Sequence, residues 1–192
     1  IELLERLEGL VQNYMNRATR LLDISRAEAG KLQLEPRLTD LSSLVVSVAR
    51  RYEAEAAHKG CVLELDIDGG IKAVCDPLAV EQVIENLLSN ALKFGAGKPV
   101  GLRLRSDARS AFCEVRDRGI GMSADQQDCV FGRFERVVAK HRADGFGLGL
   151  WISCHLVEAM NGKITLSSRL GHGSNFHVAL PLKPANDGSD TG

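Results

Sequence analysis

The chain has 192 residues, 44% of them hydrophobic, which is enough for one sizeable core and one attached element. Its 24 basic and 25 acidic side chains nearly cancel, so no overall field draws it to nucleic acid or to an anionic membrane surface. No apolar run approaches the roughly 20 residues of a membrane-spanning helix, so we expect a cytoplasmic segment, whether or not its parent protein is membrane-anchored.

The five cysteines are widely spaced, odd in number and without a CxxC pair, so they do not indicate zinc binding or redox chemistry. We expect buried, free thiols in a reducing compartment. They are Cys61, Cys75, Cys113, Cys129 and Cys154.

Apolar residues alternate at spacings of three and four from Leu4 to Leu21, which predicts one long helix with the seam of a helical bundle. Further apolar positions widen this face beyond a two-stranded seam, which indicates a four-helix bundle whose other helices the sequence does not contain. Gly30 is placed to end the helix. We therefore predict a bundle helix over residues 1–30, followed by a compact domain, as a piece of a longer protein.

The compact domain begins with a helix, for which Asp40 is placed as the N-cap and which ends near His58. Residues 61–67 then alternate between apolar and polar, residues 68–70 are a turn sequence, and residues 71–75 form a second apolar stretch. This pattern predicts a β-hairpin.

A second helix is predicted to open at Asp76, which precedes a first-turn proline, and its apolar residues continue at helical spacing as far as Leu92. Strands follow at residues 100–105 and 111–115. The regular pattern then lapses over residues 118–144, which are polar, rich in glycine and longer than an ordinary connection. Such a stretch is expected to be a functional lid or a disordered loop.

A last helix starts at Gly147 and stops at residues 161–162, and two strands close the domain at residues 163–168 and 174–180. The polar tail, residues 185–192, is expected to be disordered. Helices and strands in this order predict a two-layer α/β sandwich, with a mixed, mostly antiparallel sheet and the helices on one face.

The first candidate site segment lies on the second helix of the domain. Asn86, Asn90 and Lys93 are spaced so that one helical face presents two amide groups and an ammonium. Amide oxygens suit Mg²⁺, and lysine suits phosphate as a point charge. The alternative is an ordinary solvated polar face.

The second segment, residues 117–122, directly follows a strand. Gly119 and Gly121 allow the backbone to come close to a flat ligand, and an ionised Asp117 can accept a hydrogen bond from the exocyclic amine of adenine. The alternative is an ordinary turn, because short glycine motifs recur by chance.

The third segment, residues 131–136, places Phe131 and Phe134 within the polar stretch, with Arg133 and Arg136 able to reach phosphates. The alternative is that the two rings are plain packing anchors.

The fourth segment, residues 145–150, opens a helix, where unsatisfied backbone N–H groups and the helix dipole favour an anion. The alternative is a flexible junction between a loop and a helix. A weaker turn at residues 171–176 contains Ser174, which is a candidate to complete an adenine site.

In order, spacing and position, the four segments resemble the asparagine box, first glycine box, phenylalanine box and second glycine box of sensor histidine kinases, within the superfamily shared with gyrase and Hsp90. The resemblance implies an ATP-binding catalytic domain over residues 36–184. It also implies that residues 1–30 are the second helix of the family's dimerisation bundle.

The resemblance assigns roles in the binding of ATP and Mg²⁺. It implies that Asn90, helped by Asn86, binds Mg²⁺ and that Lys93 contacts phosphate. Phe94 would line the adenine, and Asp117 would recognise its amine.

Further roles fall on the lid. Gly145, Gly147 and Gly149, together with Leu148, would form its phosphate-binding hinge. Arg136 would add a lid contact to the phosphates.

The chain departs from the wider superfamily at two points. Hydrolytic members carry a glutamate base four residues before the metal-binding asparagine, where this chain has Asn86, so an attacking water would lack its general base. Histidine kinases phosphorylate a histidine that an acidic residue usually follows, and no histidine of this chain has that setting. We therefore expect the acceptor histidine on a bundle helix that this chain lacks.

The leading interpretation is the catalytic part of a protein histidine kinase that uses ATP and Mg²⁺, dimerises through its bundle helix and serves a response regulator. A serine kinase of the anti-sigma type shares the fold, but such kinases lack a bundle helix. The other alternative is a nucleotide-binding signalling module that transfers no phosphate. Neither nucleic acid nor direct membrane contact is expected.

Overall fold

The computed structural model describes residues 33–95, 97–133 and 147–183. The chain divides into two units, Ile1–Gln33 and Leu34–Gly192, and every element described below belongs to the second.

Some of the predictions concern residues outside the described ranges. These are the bundle helix over residues 1–30, the tail over residues 185–192, and the lid residues Phe134, Arg136 and Gly145. They stay predictions.

Seven strands and four helices occur in the described part of the chain. In chain order they are β1 (Arg37–Asp40), α1 (Leu41–His58), β2 (Leu63–Ile67), β3 (Lys72–Cys75), α2 (Pro77–Phe94), β4 (Val100–Ser106), β5 (Ser110–Arg116), α3 (Ala124–Cys129), α4 (Gly149–Ala159), β6 (Lys163–Arg169) and β7 (Gly173–Pro181).

The strands form a five-stranded sheet in the order β2-β4-β5-β7-β6 and a separate pair of β1 and β3. Strand β2 runs parallel to β4, and all other neighbours are antiparallel. Apolar side chains of α1, α2 and α4 meet those of the sheet around one interior cavity, to which Val45, Ile84, Val157 and Leu104 contribute. The predicted two-layer sandwich is confirmed.

Aspartates open two of the helices as predicted. Asp40 caps α1, and Asp76 Oδ1 caps α2 by accepting hydrogen bonds from the backbone N of Leu78 (2.8 Å) and Ala79 (3.1 Å). The second oxygen of Asp76 accepts from the backbone N of Glu35 (2.8 Å). One buried carboxylate therefore both starts α2 and fastens the segment through which the chain enters the domain.

The predicted hairpin over residues 61–67 and 71–75 is wrong. Strand β2 pairs with β4, and β3 pairs with β1. The hydroxyl of Ser42 donates to the carbonyl of Asp68 (2.6 Å) and accepts from the backbone N of Ile71 (3.0 Å). Because α1 holds both ends of the turn in this way, the turn carries the chain from one sheet to the other instead of folding it back.

A short helix, α3, lies within the stretch that was expected to be a lid or a disordered loop. It starts with a capping box, in which Ser123 Oγ accepts from the backbone N of Gln126 (3.4 Å) and the Gln126 side chain accepts from the backbone N of Ser123 (2.8 Å). The Ser-x-x-Gln pattern is a sequence signal for this helix start.

All five cysteines are free. Cys61, Cys75 and Cys113 are buried, whereas Cys129 and Cys154 are half-buried. Burial raises the pKa of the Cys113 thiol to about 12. Within residues 33–95, 97–133 and 147–183, no helix is both long and apolar enough to cross a membrane.

Candidate functional site

Helix α2 is the scaffold of the candidate site. Its apolar residues face the core, where Leu87 and Leu88 are fully buried. Its 3.6-residue period leaves the predicted polar positions on the other side. Asn86, Asn90, Lys93 and Phe94 are all partly exposed there.

The first of these residues touches helix α4. The amide nitrogen of Asn86 donates a hydrogen bond to Ser153 Oγ (2.9 Å). A Cβ built on Gly149 would overlap Asn86 Oδ1 and would lie 2.8 Å from Asn86 Cγ. The start of α4 is therefore held against the beginning of the polar face.

One turn further along α2, the Asn90 side chain makes no hydrogen bond to another residue of the described ranges. Its amide oxygen is a hard, neutral ligand of the kind that Mg²⁺ accepts. The ammonium of Lys93 lies 5.4 Å from the centre of the Phe94 ring, within the range of a cation–π contact. This part of the helix fits a metal ion and phosphate.

The first glycine segment, residues 117–122, packs against the C-terminal end of α2. The backbone N of Ile120 donates to the carbonyl of Phe94 (3.2 Å). A Cβ on Gly119 would overlap that same oxygen and would lie 2.5 Å from the carbonyl carbon. Only a residue without a side chain allows the loop to approach this closely, so Gly119 brings the loop that carries Asp117 against the end of α2.

Asp117 is 5% exposed and follows directly after β5. Its Oδ1 accepts from the backbone N of Gly119 (2.8 Å), and its own backbone N donates to the carbonyl of Ser174 (2.9 Å). Burial raises the pKa of the carboxyl above its ordinary value, while backbone hydrogen bonds from Gly119 and Ser174 act in the opposite direction. A buried carboxylate with few donors is a strong acceptor for a ligand N–H.

Ser174 is buried beside Asp117 and lies 3.1 Å, oxygen to oxygen, from the hydroxyl of Ser168. Ser168 Oγ also donates to the carbonyl of Gly173 (2.8 Å) and accepts from the backbone N of Met122 (2.9 Å). Ser168 was not predicted. Only the register that pairs Ser168 with Ser174 across β6 and β7 brings it to the site.

Gly121 joins the first glycine segment to the connection between β6 and β7. Its φ is +63°, and a Cβ there would overlap the carbonyl oxygen of Arg169. The backbone N of Gly171 donates to the carbonyl of Ile120 (2.7 Å). The predicted glycine is required by both its conformation and its close approach.

The start of α4 lacks a polar cap. The N-cap residue is Leu148, whose side chain has no hydrogen-bonding atom, and it follows Gly147 at φ +68°. Helices α1, α2 and α3 instead begin with Asp40, Asp76 and Ser123. No side-chain cap is made to the first N–H groups of α4 by the described residues, and a helix start of this kind favours an anion such as phosphate.

Phe131, the first aromatic residue of the third segment, packs edge-on against the buried Phe176, with 6.4 Å between ring centres. This contact agrees with the packing-anchor alternative for Phe131.

Four of the predicted residues, Asn86, Asn90, Lys93 and Phe94, belong to α2. The uncapped start of α4 meets Asn86, and the Asp117 loop meets Phe94. At 1.5 Å per residue, the two ends are about 12 Å apart along the helix axis. The candidate site is elongated, with the buried carboxyl of Asp117 at one end and the uncapped start of α4 at the other.

A family model described as histidine kinase-, DNA gyrase B- and HSP90-like ATPase matches residues 75–184. The virulence sensor protein BvgS of Bordetella bronchiseptica is 38% identical over 171 residues, which are 84% of this chain and 14% of BvgS. The sensor histidine kinase MtrB of Mycolicibacterium paratuberculosis is 32% identical over 182 residues, which are 93% of this chain and 31% of MtrB. The chain thus spans less than a third of each relative.

Solved structures share the fold. The histidine kinase AdeS of Acinetobacter baumannii has a TM-score of 0.76 at 22% identity, covering 93% of this chain and 83% of the AdeS chain. Full-length ShkA, crystallised in complex with AMPPNP, has a TM-score of 0.79 at 25% identity, covering 90% of this chain and 36% of the ShkA chain.

Replacing Gly119 by alanine is expected to lower the free energy of unfolding by about 2–4 kcal/mol, because the added methyl group overlaps the backbone of Phe94. The Asp117 loop must then move away from α2. Gly69→Ala is the control, since a Cβ there meets nothing within 4 Å, and its effect should stay within about 0.5 kcal/mol. Urea unfolding measures both variants, and equal losses would contradict the close approach at Gly119.

Proposed function

This chain belongs to the histidine kinase-, DNA gyrase B- and HSP90-like ATPase family, and on that premise we propose that it is the catalytic part of a sensor histidine kinase. Residues 36–184 bind ATP with Mg²⁺ and transfer its γ-phosphoryl group to a histidine of the dimerisation bundle. One observation carries the proposal: the two ends of the polar face of α2 meet a buried acceptor, Asp117, and the uncapped start of α4.

The nucleotide lies along α2 with its base at the Asp117 end. Asp117 accepts from the exocyclic amine of adenine, Phe94 lines the ring, and the backbone around Gly119 and Gly121 lies against it. Ser174, next to Ser168, adds to the surface that faces the adenine. The base is therefore bound by one buried charge and by close-fitting backbone.

The phosphates lie towards α4. The N–H groups at Gly149 and the following residues offer hydrogen bonds that no side-chain cap occupies, and Gly147 and Leu148 shape the turn before them. Lys93 adds a positive charge from α2. The predicted lid residues Arg136 and Gly145 are also assigned to this phosphate end of the site.

Asn90 supplies an oxygen ligand to Mg²⁺, and the resemblance to sensor histidine kinases names Asn86 only as a second candidate. When bound, the ion neutralises charge on the phosphates of ATP. The protein's own contribution is to hold the phosphates between α2 and α4, so that the γ-phosphoryl group meets its acceptor in line.

Transfer to a side chain is favoured over hydrolysis. Asn86 occupies the position of the hydrolytic base, and an amide does not take up a proton from water. The neighbouring Glu85 is turned towards α1, where its carboxylate pairs with Arg51 (2.8 Å). Neither residue activates a water at the γ-phosphate.

Residues 1–30 supply the second bundle helix, through which the parent protein forms a homodimer, and residues 185–192 are a tail. The acceptor histidine lies on the other helix of that bundle, and a response regulator takes the phosphoryl group from it. The domain works in the cytoplasm. Relatives named as sensor proteins and sensor histidine kinases support this assignment.

Phosphoryl transfer can be tested by adding, as a separate polypeptide, a two-helix bundle that carries a histidine followed by an acidic residue. With radiolabelled ATP and Mg²⁺, we expect acid-labile label on the bundle and none on this chain. Label on a serine would favour the serine kinase. ATP binding without any label would favour the signalling module.

Asn90→Ala is expected to weaken ATP binding about tenfold or more in the presence of Mg²⁺ and to leave metal-free binding nearly unchanged, because it removes only a metal ligand. Calorimetric titrations with Mg²⁺ and with a chelator measure the difference. An equal loss in both would make Asn90 a structural residue.

Asp117 should select ATP over GTP by about 10²- to 10⁴-fold, since a carboxylate cannot donate to the carbonyl of guanine. The Asp117→Asn variant should lose most of its affinity for ATP, and the difference between its affinities for ATP and GTP should become smaller. Binding of ATP and GTP within a few-fold by the unmodified chain would exclude Asp117 as the base reader.

The stability of the Asp117→Asn variant shows whether its loss of ATP affinity could come from misfolding. Because burial raises the folded-state pKa of Asp117, ionisation at neutral pH opposes folding, so the nucleotide-free variant should be no less stable at pH 7. The carboxyl of Asp107 has a lowered pKa, through backbone hydrogen bonds from Arg109 and Ser110, so its ionised form favours folding. Asp107→Asn should therefore bring no stabilisation and should leave the selection of ATP unchanged.

A further inference from the structure

A buried hydroxyl lies in the contact between α2 and α4, outside the roles assigned so far. Ser153 is 1% exposed on an otherwise apolar face of α4, beside Ile152, Leu156 and Val157. Its Oγ accepts the hydrogen bond from the amide nitrogen of Asn86 (2.9 Å). A buried polar side chain at such a position needs a partner, and Asn86 provides it.

Gly149 lies one turn before Ser153, on the same face of α4. A Cβ there would overlap Asn86 Oδ1 and would come within 3.0 Å of the amide nitrogen. The amide of Asn86 thus lies across the first turn of α4, with its oxygen against Gly149 and its nitrogen on Ser153. These two contacts orient the amide and bring the first turn of α4 close to α2.

The two asparagines of α2 differ in their surroundings. Asn86 is bound to another helix, whereas the Asn90 side chain has no hydrogen bond to a residue within the described parts of the chain. An oxygen that is packed against Gly149 is poorly placed to take up a metal ion, while an unengaged one is available.

We propose that Ser153 is a positioning residue, which acts through Asn86 to hold the phosphate-binding start of α4 at a fixed distance from Asn90. Asn86 serves the site as a joint between the helices and not as a ligand of the metal. The inference rests on the proposed function, because it assigns the phosphates to α4 and the metal to Asn90. Gly149 is then needed for the close approach of the two helices.

The test uses calorimetric titration, which detects the binding of ATP and of adenosine at either end of α2. Affinities for ATP, with Mg²⁺ and with a chelator, and for adenosine are measured for Ser153→Ala, Asn86→Ala, the double variant and Asn90→Ala. The control is Cys154→Ala, on the same helix, where the thiol contacts Glu158 and not α2.

We expect Ser153→Ala to weaken ATP binding about five- to tenfold, the scale of one buried hydrogen bond, equally with and without Mg²⁺. Adenosine binding should not change, since the base lies at the other end of α2. The double variant should bind ATP as Asn86→Ala does, because both changes remove the same contact. Cys154→Ala should bind as the unmodified chain, and a single cooperative melting transition for each variant confirms that it folds.

Three results would overturn the assignment of Ser153: unchanged ATP affinity, an equal loss for adenosine, or losses that simply multiply in the double variant. A loss for Asn86→Ala that appears only with Mg²⁺ would instead make Asn86 a metal ligand and remove its role as a joint. Absence of ATP binding by the unmodified chain would overturn the proposed function and this inference with it. The two failures are therefore distinguishable.

Discussion

Close contacts at three glycines bring the parts of the candidate site together. Gly119 lies against the carbonyl of Phe94, Gly149 against the amide of Asn86, and Gly173 against the carbonyl of Asp117, each at a distance that a Cβ would not allow. Without these contacts, the segments that follow β5 and precede α4 would stand away from α2. The glycines therefore act here by permitting contact, and flexibility is a secondary consideration.

The electrostatics follow from this packing. The approach at Gly119 buries Asp117, and the burial raises the pKa of its carboxyl, so the domain gives up some stability for an acceptor that a ligand can satisfy. At the other end of α2, the N-cap residue Leu148 gives α4 no side-chain cap. A buried carboxylate and an uncapped helix start thus lie near opposite ends of one helix, and the proposed direction of the nucleotide, with its base at Asp117 and its phosphates at α4, follows from this arrangement.

Features set by adjacent residues could be predicted from the sequence, and features set by distant pairing could not. The caps at Asp40 and Asp76 were predicted because a side chain and its backbone partner lie within three residues. The prediction of a hairpin was wrong because apolar alternation indicates only that a segment is a strand. The path of the turn depends on hydrogen bonds made by Ser42, which lies in a helix 26 residues before Asp68. Ser168 and Ser153 were missed for the same reason, since a serine becomes informative only when its partner across the sheet or the helix contact is known.

The position of Asn86 links the packing to the choice of reaction. A hydrolytic enzyme needs a carboxylate at this point of α2, free to take a proton from water. Here the side chain contacts Gly149 and Ser153, and the nearest carboxylate on the helix, Glu85, is paired with Arg51 on α1. At the position of the hydrolytic base, Asn86 instead takes part in the contact between α2 and α4. On the described helix α2, neither Asn86 nor Glu85 is therefore placed to activate a water, which agrees with the proposed transfer to a nucleophile from outside the domain.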